Sequence, residues 1–381
     1  VLDHKSNNFL ASIHFDNEKS GIAFLDVSTG EFYTAQGSNE YIDKLVRSFN
    51  PSEVIVQRSK ERHVLNRFGK LYTNTFDDWV FTREFGYEKL LQHFKTTSLK
   101  GFGIEELSEG IIASGAALHY LSETHHDKLQ HINQIQRIEE DRYVWLDRFT
   151  IRNLELLHSM NEQATTLIDV LDRTITPMGS RLLKRWLVLP LREIQVINER
   201  LDLVTIFLDD TTLAGVVTSS IKQAGDLERI VSKIATGRIN PREIIQLHRA
   251  LAAIGPLKSA FLSHQHDALK KIGEQLNLCS TIVQKIKTYL TDEPPALLAK
   301  GNVIRDGVSE ELDELREIQY SGKDYLKKLQ EREGIRTGIP SLKVGYNNVF
   351  GYFLEVTNTH KDKVPEEWHR KQTLTNSERY I

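Results

Sequence analysis

The chain has 381 residues, of which 40% are hydrophobic and 27% charged, and its formal net charge is −3. This composition is typical of a globular protein of two or three domains, and it excludes a disordered chain and a strongly basic one. The single cysteine, Cys279, excludes an internal disulfide framework and a CxxC metal site. No apolar run approaches the roughly 18–20 residues that span a bilayer. The sequence lacks an initiator Met and a signal peptide, so we interpret it as a piece of a longer protein.

Residues 9–97 have the pattern of a small α/β domain. The stretch FLASIHFD alternates and places four apolar residues on one face of a strand: Phe9, Ala11, Ile13 and Phe15. IAFLDV and EFYTAQ follow after short turns, which predicts a meander of three strands. SNEYIDKLVRSF predicts a helix with Ser38 or Asn39 as its N-cap, and EVIVQ predicts a short buried strand.

Helical patterns dominate the next part of the chain. SEGIIASGAALHYLSETH, which begins at residue 108, has helical spacing of its apolar residues. Residues 151–300 read as helices separated by Gly and Pro segments such as TPMGS and TGRINPRE. We therefore predict an all-α region.

Residues 309–333 predict one long helix of roughly 37 Å, with Ser309 as its N-cap and Gly334 as its end. Its apolar residues follow a roughly heptad seam: Leu312, Leu315, Ile318, Gly322, Tyr325 or Leu326, and Leu329. Ordinary helix packing and a paired helical arm both explain such a seam. The segments SLKVGYNN and FGYFLEVTN then predict two strands.

Catalytic motifs are absent from the sequence. GxxxxGK[ST], GxSxG and HExxH do not occur, so we predict no catalytic, cofactor-binding or metal-binding residue. The pairs His125–His126 and His264–His266 are interpreted as surface histidines, because neighbours at these spacings do not share a helix face. Cys279 is interpreted as a buried structural thiol. A nuclease site with Mg²⁺ between Asp16 and Asp26 is kept as an alternative.

Several long segments, in order, resemble the MutS DNA mismatch-repair family. They are LDRFTIRNLELL, LIDVLDRTITPMGSRLLKRWLVLPL, INERLDLV, DLERIVSKIATGRINPREI, SEELDELREI, IPSLKVGYNNVFGYFLEVTN and VPEEWHRKQTLTNSERYI. Residues 1–110 are similar to the connector domain of that family in a more divergent form. The resemblance therefore covers essentially the whole chain.

The resemblance implies a multidomain α+β fold. Residues 1–108 would form a connector domain with an α/β, ribonuclease-H-like topology. Residues 109–305 would form an all-α core and lever domain, and residues 306–381 a long lever helix with a small β-containing clamp at its tip. The chain would stop inside the return helix of that clamp.

The resemblance also implies function and partners. Proteins of this family embrace double-stranded DNA as homodimers, and an ATPase domain that uses ATP and Mg²⁺ controls their clamps. This chain would lack the ATPase and the mismatch-reading domain, so we expect it to be a non-enzymatic, monomeric fragment without a cofactor. MutL would dock on the connector, and the protein would act in the bacterial cytoplasm at the nucleoid, not at a membrane. Relatives that act on recombination junctions or ribosomes remain an alternative.

The expected DNA contacts lie between residues 335 and 381, where seven Lys and Arg residues face five acidic residues. Cations, hydroxyls and amides on what reads as a helical stretch can donate to phosphates. The predicted backbone-binding residues are Lys343, Asn347, Arg370, Lys371, Thr375, Asn376 and Arg379. By resemblance, Lys371 and Asn376 fall where the family contacts DNA. The segment Phe353–Leu354–Glu355 matches the Phe-x-Glu of the family's mismatch wedge, but we interpret it as ordinary strand.

Overall fold

The computed structural model describes residues 3–16, 18–69, 71–124, 128–159, 161 and 164–381. The chain divides into two compact units, residues 1–303 and residues 304–381. The strands of the first unit are β1 (Leu10–His14), β2 (Ser20–Asp26), β3 (Glu31–Gly37), β4 (Glu53–Gln57), β5 (Thr73–Phe76) and β6 (Gln136–Arg137). Its first helices are α1 (Asn39–Phe49), α2 (Glu61–Phe68), α3 (Arg83–Phe94), α4 (Ser108–Glu123) and α5 (Arg148–Asn153).

The remaining helices of the first unit follow without strands between them. They are α6 (Leu167–Leu171), α7 (Pro177–Val188), α8 (Ile194–Asp209), α9 (Thr211–Ala224), α10 (Leu227–Ala235), α11 (Pro241–Ala252), α12 (Ile254–Ser263), α13 (Asp267–Gln275) and α14 (Ser280–Tyr289). The second unit contains α15 (Glu310–Thr337), β7 (Lys343–Asn347), β8 (Gly351–Thr357), β9 (Arg370–Thr373) and β10 (Ser377–Tyr380). Short 3-10 helices lie at Arg58–Lys60, Asp78–Phe81, Lys100–Phe102, Glu140–Arg142, Leu298–Lys300 and Asn358–Lys363.

The first sheet has the strand order β5-β4-β1-β2-β3-β6. The predicted meander is confirmed, because β1, β2 and β3 pair antiparallel in sequence. β4 is parallel to β1 and β5 is parallel to β4. The alternation in FLASIHFD is confirmed as well. One face of β1 packs Phe9, Ala11, Ile13 and Phe15 into a core with α1, and Leu10 joins the core on the opposite face.

Helix α4 closes this second face by packing against β1, β2 and β3. The approach is close at Gly21 of β2, where an added Cβ would lie 1.9 Å from the carbonyl oxygen of Glu109. The sequence placed the end of the first domain at residue 108, but α4 begins there and belongs to the sheet layer. The folded layer therefore continues through Glu123, because the apolar face of α4 covers the sheet.

The Gly and Pro segments of the helical region are helix starts. Thr176 caps α7 and Asn240 caps α11, each by accepting a hydrogen bond from the backbone N–H three residues on. A proline follows directly in both cases, at the first helical position, where its missing N–H costs nothing. The predicted all-α region is thus confirmed.

Cationic side chains of α7 and α10 hold the segment that leads into β1. Lys184 donates to the Ser6 hydroxyl at 2.8 Å, and Arg229 donates to the Ser6 carbonyl oxygen at 2.9 Å. Arg185 pairs with Glu31 at the start of β3, and both side chains are largely buried. The sheet layer and these helices are therefore joined by polar contacts as well as by chain connectivity.

Helix α15 is the long helix of the second unit. Ser309 is its N-cap, as predicted, and accepts a hydrogen bond from the Leu312 N–H at 3.3 Å. The predicted end at Gly334 is wrong, because the left-handed residue that terminates the helix is Gly338, with φ of 66°. At 28 residues, α15 is about 42 Å long.

The predicted heptad seam of α15 is largely exposed. Leu315, Ile318 and Tyr325 expose 57%, 68% and 63% of their surface, and Leu326 is less exposed than Tyr325. Packing within the described chain, which was one of our two interpretations, does not cover these three side chains. Among the described residues, no helix combines the length and the apolar character that crossing a bilayer requires.

The second sheet has the order β7-β8-β10-β9, with all neighbours antiparallel. The prediction that residues 370–381 form a helix is wrong, since β9 and β10 form a hairpin there. Glu378 and Tyr380 are both buried. Residues two apart share a face in a strand but not in a helix, so a helix could not bury this pair together.

Candidate nucleic-acid interface

The Arg379 side chain is held within the second sheet by hydrogen bonds to neighbouring strands. Cross-strand pairing aligns it with Glu355 on β8 and Gln372 on β9. Its Nε donates to Glu355 Oε2 and its Nη1 to Gln372 Oε1, both at 2.9 Å. The guanidinium carbon also lies 4.4 Å from the ring centre of Phe353. Of the predicted contact residues, Arg379 therefore has two of its three nitrogens already engaged inside the sheet.

The Phe-x-Glu segment of β8 is ordinary strand, as expected. Phe353 is buried beneath Arg379 and against Gly345, where an added Cβ would lie 2.5 Å from the ring. Leu354 faces the opposite way and packs on the core of the second unit. Glu355 is paired with Arg379. This segment has no free aromatic ring to offer to a base.

Thr375 and Asn376 occupy the exposed tip of the β9–β10 hairpin. The turn is closed by the Leu374 N–H, which donates to the Ser377 carbonyl oxygen at 2.8 Å. Asn358, which follows β8, holds the tip by two hydrogen bonds. Its backbone N–H donates to the Asn376 carbonyl oxygen and its Nδ2 to the Thr375 carbonyl oxygen, both at 3.1 Å. Nothing in the local sequence marks Asn358 for this role, because its partners lie 17 and 18 positions later in the chain.

Glu378 lies at the centre of a charged cluster beside this tip. Its carboxylate accepts from Lys361 Nζ at 2.6 Å, from Arg370 Nη1 at 3.2 Å and from the Tyr380 hydroxyl. The hydrogen bond from Lys361, followed by that from Tyr380, lowers the pKa of Glu378 to about 2. Burial and the Glu378 carboxylate raise the pKa of Tyr380 to about 12. In the sequence alone, Glu378 is only one of the five acidic residues that offset the seven cations between residues 335 and 381.

Lys371 lies at an irregularity of the hairpin. The register shifts beside it, because Arg379 pairs with Gln372 whereas the next residue, Tyr380, pairs with Arg370. Lys371 is thus the extra residue of a β-bulge, a device that re-aims a side chain. It is exposed, and no described residue accepts a hydrogen bond or an ion pair from it.

The predicted contact residues form two groups rather than one. Arg370, Lys371, Thr375, Asn376 and Arg379 lie along the β9–β10 hairpin. Lys343 and Asn347 lie on β7, at the opposite edge of the sheet and three strand spacings, or roughly 14 Å, away. Lys343 is exposed, whereas the Asn347 side chain accepts from the Val349 N–H at 2.8 Å and shapes the β7–β8 turn.

Comparisons with known proteins agree with the long motifs in the sequence. The family models of MutS domain II and MutS domain III match residues 8–133 and 149–364.

The chain belongs to the MutS DNA mismatch-repair family.

It is 57% identical to the DNA mismatch repair protein MutS of Phocaeicola vulgatus, and 55% identical to those of Bacteroides thetaiotaomicron and Flavobacterium johnsoniae. Each comparison covers 100% of this chain but 44% of the relative, so the chain spans less than half the length of the MutS proteins it matches.

The MutS domain III match ends at residue 364 and so stops before the β9–β10 hairpin. The whole-chain relatives include the hairpin in their alignments. The contact residues on it were predicted from their cationic, hydroxyl and amide side chains, with the resemblance supporting Lys371 and Asn376, and they remain predictions for this MutS-family chain.

The alternative nuclease site has no geometric support. Asp26 lies five residues beyond Gly21 on β2, and Gly21 pairs with His14, which precedes Asp16. The two carboxylates are therefore at least about 17 Å apart. Asp26 is buried and accepts from the Ser28 hydroxyl at 2.7 Å, so it shapes a turn. Among the described residues, no group of three or more His, Cys, Asp and Glu could hold a metal ion.

The other predicted side chains of interest have local roles. His264 and His266 accept hydrogen bonds from nearby backbone N–H groups at the start of α13. Cys279, expected to be buried, is half-buried at the N-cap of α14. His125 and His126 lie outside the described residues.

Proposed function

We propose that this chain is a portion of a MutS-type mismatch-repair protein that grips duplex DNA through its phosphate backbone. One observation carries the proposal. The β9–β10 hairpin presents Arg370, Lys371, Thr375 and Asn376, all exposed, on strand β9 and on the tip, which is held in place by hydrogen bonds from Asn358. Charged and neutral donors on a fixed hairpin suit phosphate oxygens, which carry no base sequence information.

The finer features of the proposal come from the family resemblance. The three-stranded meander followed by two parallel strands supports a ribonuclease-H-like connector, on which MutL would dock. The exposed seam of α15 supports a lever helix that pairs with a further helix. The ATPase, with its ATP and Mg²⁺, and the homodimer contacts would belong to the part of the relatives that this chain does not span. The cytoplasmic setting follows from action on the bacterial chromosome.

Lys371→Ala should weaken binding to every duplex alike. Each phosphate contact releases about one counterion, so the slope of log K against log salt should fall by about one. Fluorescence anisotropy with a labelled duplex over a series of salt concentrations measures both quantities. Lys323→Ala, on the exposed surface of α15, is the matched control and should leave the slope unchanged. A loss confined to mismatched duplexes would contradict a backbone contact.

The chain itself should bind paired and mispaired duplexes with equal affinity. Its described contact residues offer donors to the backbone, and the Phe-x-Glu segment of β8 is enclosed in the sheet. Competition between a paired duplex and the same duplex carrying one mismatch tests this expectation. A preference for the mismatched duplex would show that a base-reading element exists within the chain. A preference for branched junctions over both would favour the junction-binding alternative.

A further inference from the structure

The cluster around Glu378 pairs one buried carboxylate with two exposed cations. One carboxylate serves two cations, Lys361 and Arg370, through the same oxygen. The Glu378 side chain is 3% exposed, whereas the side chains of Lys361 and Arg370 are 51% and 56% exposed. The anion is therefore enclosed in the protein and the two cations reach into solvent.

The cluster carries an unbalanced charge of about +1 at a fixed place. Lys361 comes from the 3-10 helix after β8, and Arg370 comes from the start of β9. Two long side chains from separate segments are thus brought to one carboxylate, whose other oxygen is bonded to the Tyr380 hydroxyl. The carboxylate cannot follow either cation outward, because it is part of the buried face of β10.

We propose that Lys361 and Arg370 bind one phosphate of the DNA backbone together, and that Glu378 is the positioning residue that holds both cations ready for it. This inference rests on the proposed function and adds to it Lys361, a binding residue, and Glu378, a residue that acts through others. A phosphate between the two cations would complete a cluster of two positive and two negative groups. Because the cations are already ordered, DNA binding need not immobilise two flexible side chains.

The opposite expectation comes from simple electrostatics. Glu378 is an acid on the β9–β10 hairpin itself, so removing its charge would be expected to tighten binding to a polyanion. Pre-organisation predicts the reverse. Without the carboxylate, Lys361 and Arg370 repel each other and must be ordered by the phosphate itself.

Glu378→Gln should therefore weaken binding of a paired duplex by about fivefold or more, which is the scale of immobilising two long side chains. The salt slope should stay unchanged, because both cations are still present to displace counterions. The matched control is Asp362→Asn, which removes one exposed acid beside Lys361 that has no partner among the described residues. It should bind equally well or slightly more tightly.

Equal or tighter binding by Glu378→Gln overturns the positioning role, whereas weaker binding with an unchanged slope supports it. If circular dichroism shows that Glu378→Gln does not fold, Lys361→Met carries the test, and only a salt slope reduced by about one supports the shared phosphate. If the unaltered chain does not bind the duplex at all, the proposed function fails and this inference fails with it. A chain that binds through Lys371 but tolerates Glu378→Gln loses only the inference.

Discussion

Arg181→Met should lower the free energy of unfolding of the first unit by about 3–5 kcal/mol, the usual cost of removing one partner from a buried ion pair. The Arg181 side chain is 1% exposed and donates to both oxygens of Asp226, at 2.8 and 2.9 Å. It also donates to Glu228 at 2.6 Å and to the His4 carbonyl oxygen at 2.9 Å. Methionine fills similar space but leaves Glu228 without an ion-pair partner among the described residues, and Asp226 with only the more distant Arg229, at 4.0 Å.

The loss of stability caused by Arg181→Met should become smaller as the pH falls. Burial alone would raise the pKa of Asp226, but its hydrogen bonds and ion pair with Arg181 lower it. Burial already raises the pKa of Glu228 in spite of Arg181. In the variant both carboxyl groups should have raised pKa values, so the folded state takes up protons more readily than the unfolded state. The loss in free energy of unfolding caused by Arg181→Met is therefore largest near neutral pH. It becomes smaller as the pH falls towards the raised pKa values of the two carboxyl groups.

Denaturant titrations followed by circular dichroism measure the effect. Arg58→Met is the matched control, because Arg58 pairs with Asp77 at 3.2 Å while both side chains are more than half exposed. Such a surface pair contributes about 0–1 kcal/mol. Adding Asp226→Asn and Glu228→Gln to Arg181→Met should restore part of the stability. Asp226 is the N-cap of α10 and accepts a hydrogen bond from the Arg229 N–H, a role that asparagine can keep. No recovery in the triple variant would mean that lost packing, not unpaired charge, causes the deficit.

Arg181 also illustrates what the sequence could not reveal. It lies in the stretch TPMGSRLLKRW, where its spacing suggests an ordinary helical surface residue. Its partners come from the N-terminal segment and from α10, 45 or more positions away in the chain. The contacts of Asn358 with the hairpin tip and the Lys361–Glu378 ion pair also depend on which strands are neighbours, although their partners are nearer in the chain. Contacts between distant segments leave no local pattern.

Secondary-structure elements were predicted from the sequence where one face of the element is apolar. The alternation of β1 and the Ser38 cap of α1 are visible in a few consecutive residues, and both are present. β5 was not predicted, because its sequence TNTF has no alternation of apolar and polar residues. In the structure all four of its residues are half-buried. At the end of α15 the sequence offers two glycines, and only Gly338 adopts a positive φ. The β9–β10 hairpin was assigned to a helix because its short hydroxyl-rich strands have no apolar stripe.

Gly115→Ala should destabilise the first unit by about 1–3 kcal/mol, the range of overpacking in a well-packed core. α3 and α4 cross so closely at this residue that an added Cβ would lie 2.2 Å from the Gly86 Cα. The obstacle is backbone rather than a movable side chain, so the helices must separate. Alanine is favoured over glycine inside a helix by about 0.5–1 kcal/mol, but this gain is smaller than the cost of moving α3 away from α4.

Gly322→Ala in α15 is the matched control, because the substitution is identical but the direction should reverse. An added Cβ at Gly322 meets nothing within 4 Å, so only the helix preference of about 0.5–1 kcal/mol remains and the second unit should gain stability. Thermal unfolding of the two variants and the unaltered chain measures both changes in stability, a decrease for Gly115→Ala and an increase for Gly322→Ala. If Gly115→Ala were also stabilising, α3 and α4 would not be in backbone contact, and the sheet layer beneath them would be packed differently from the arrangement described above.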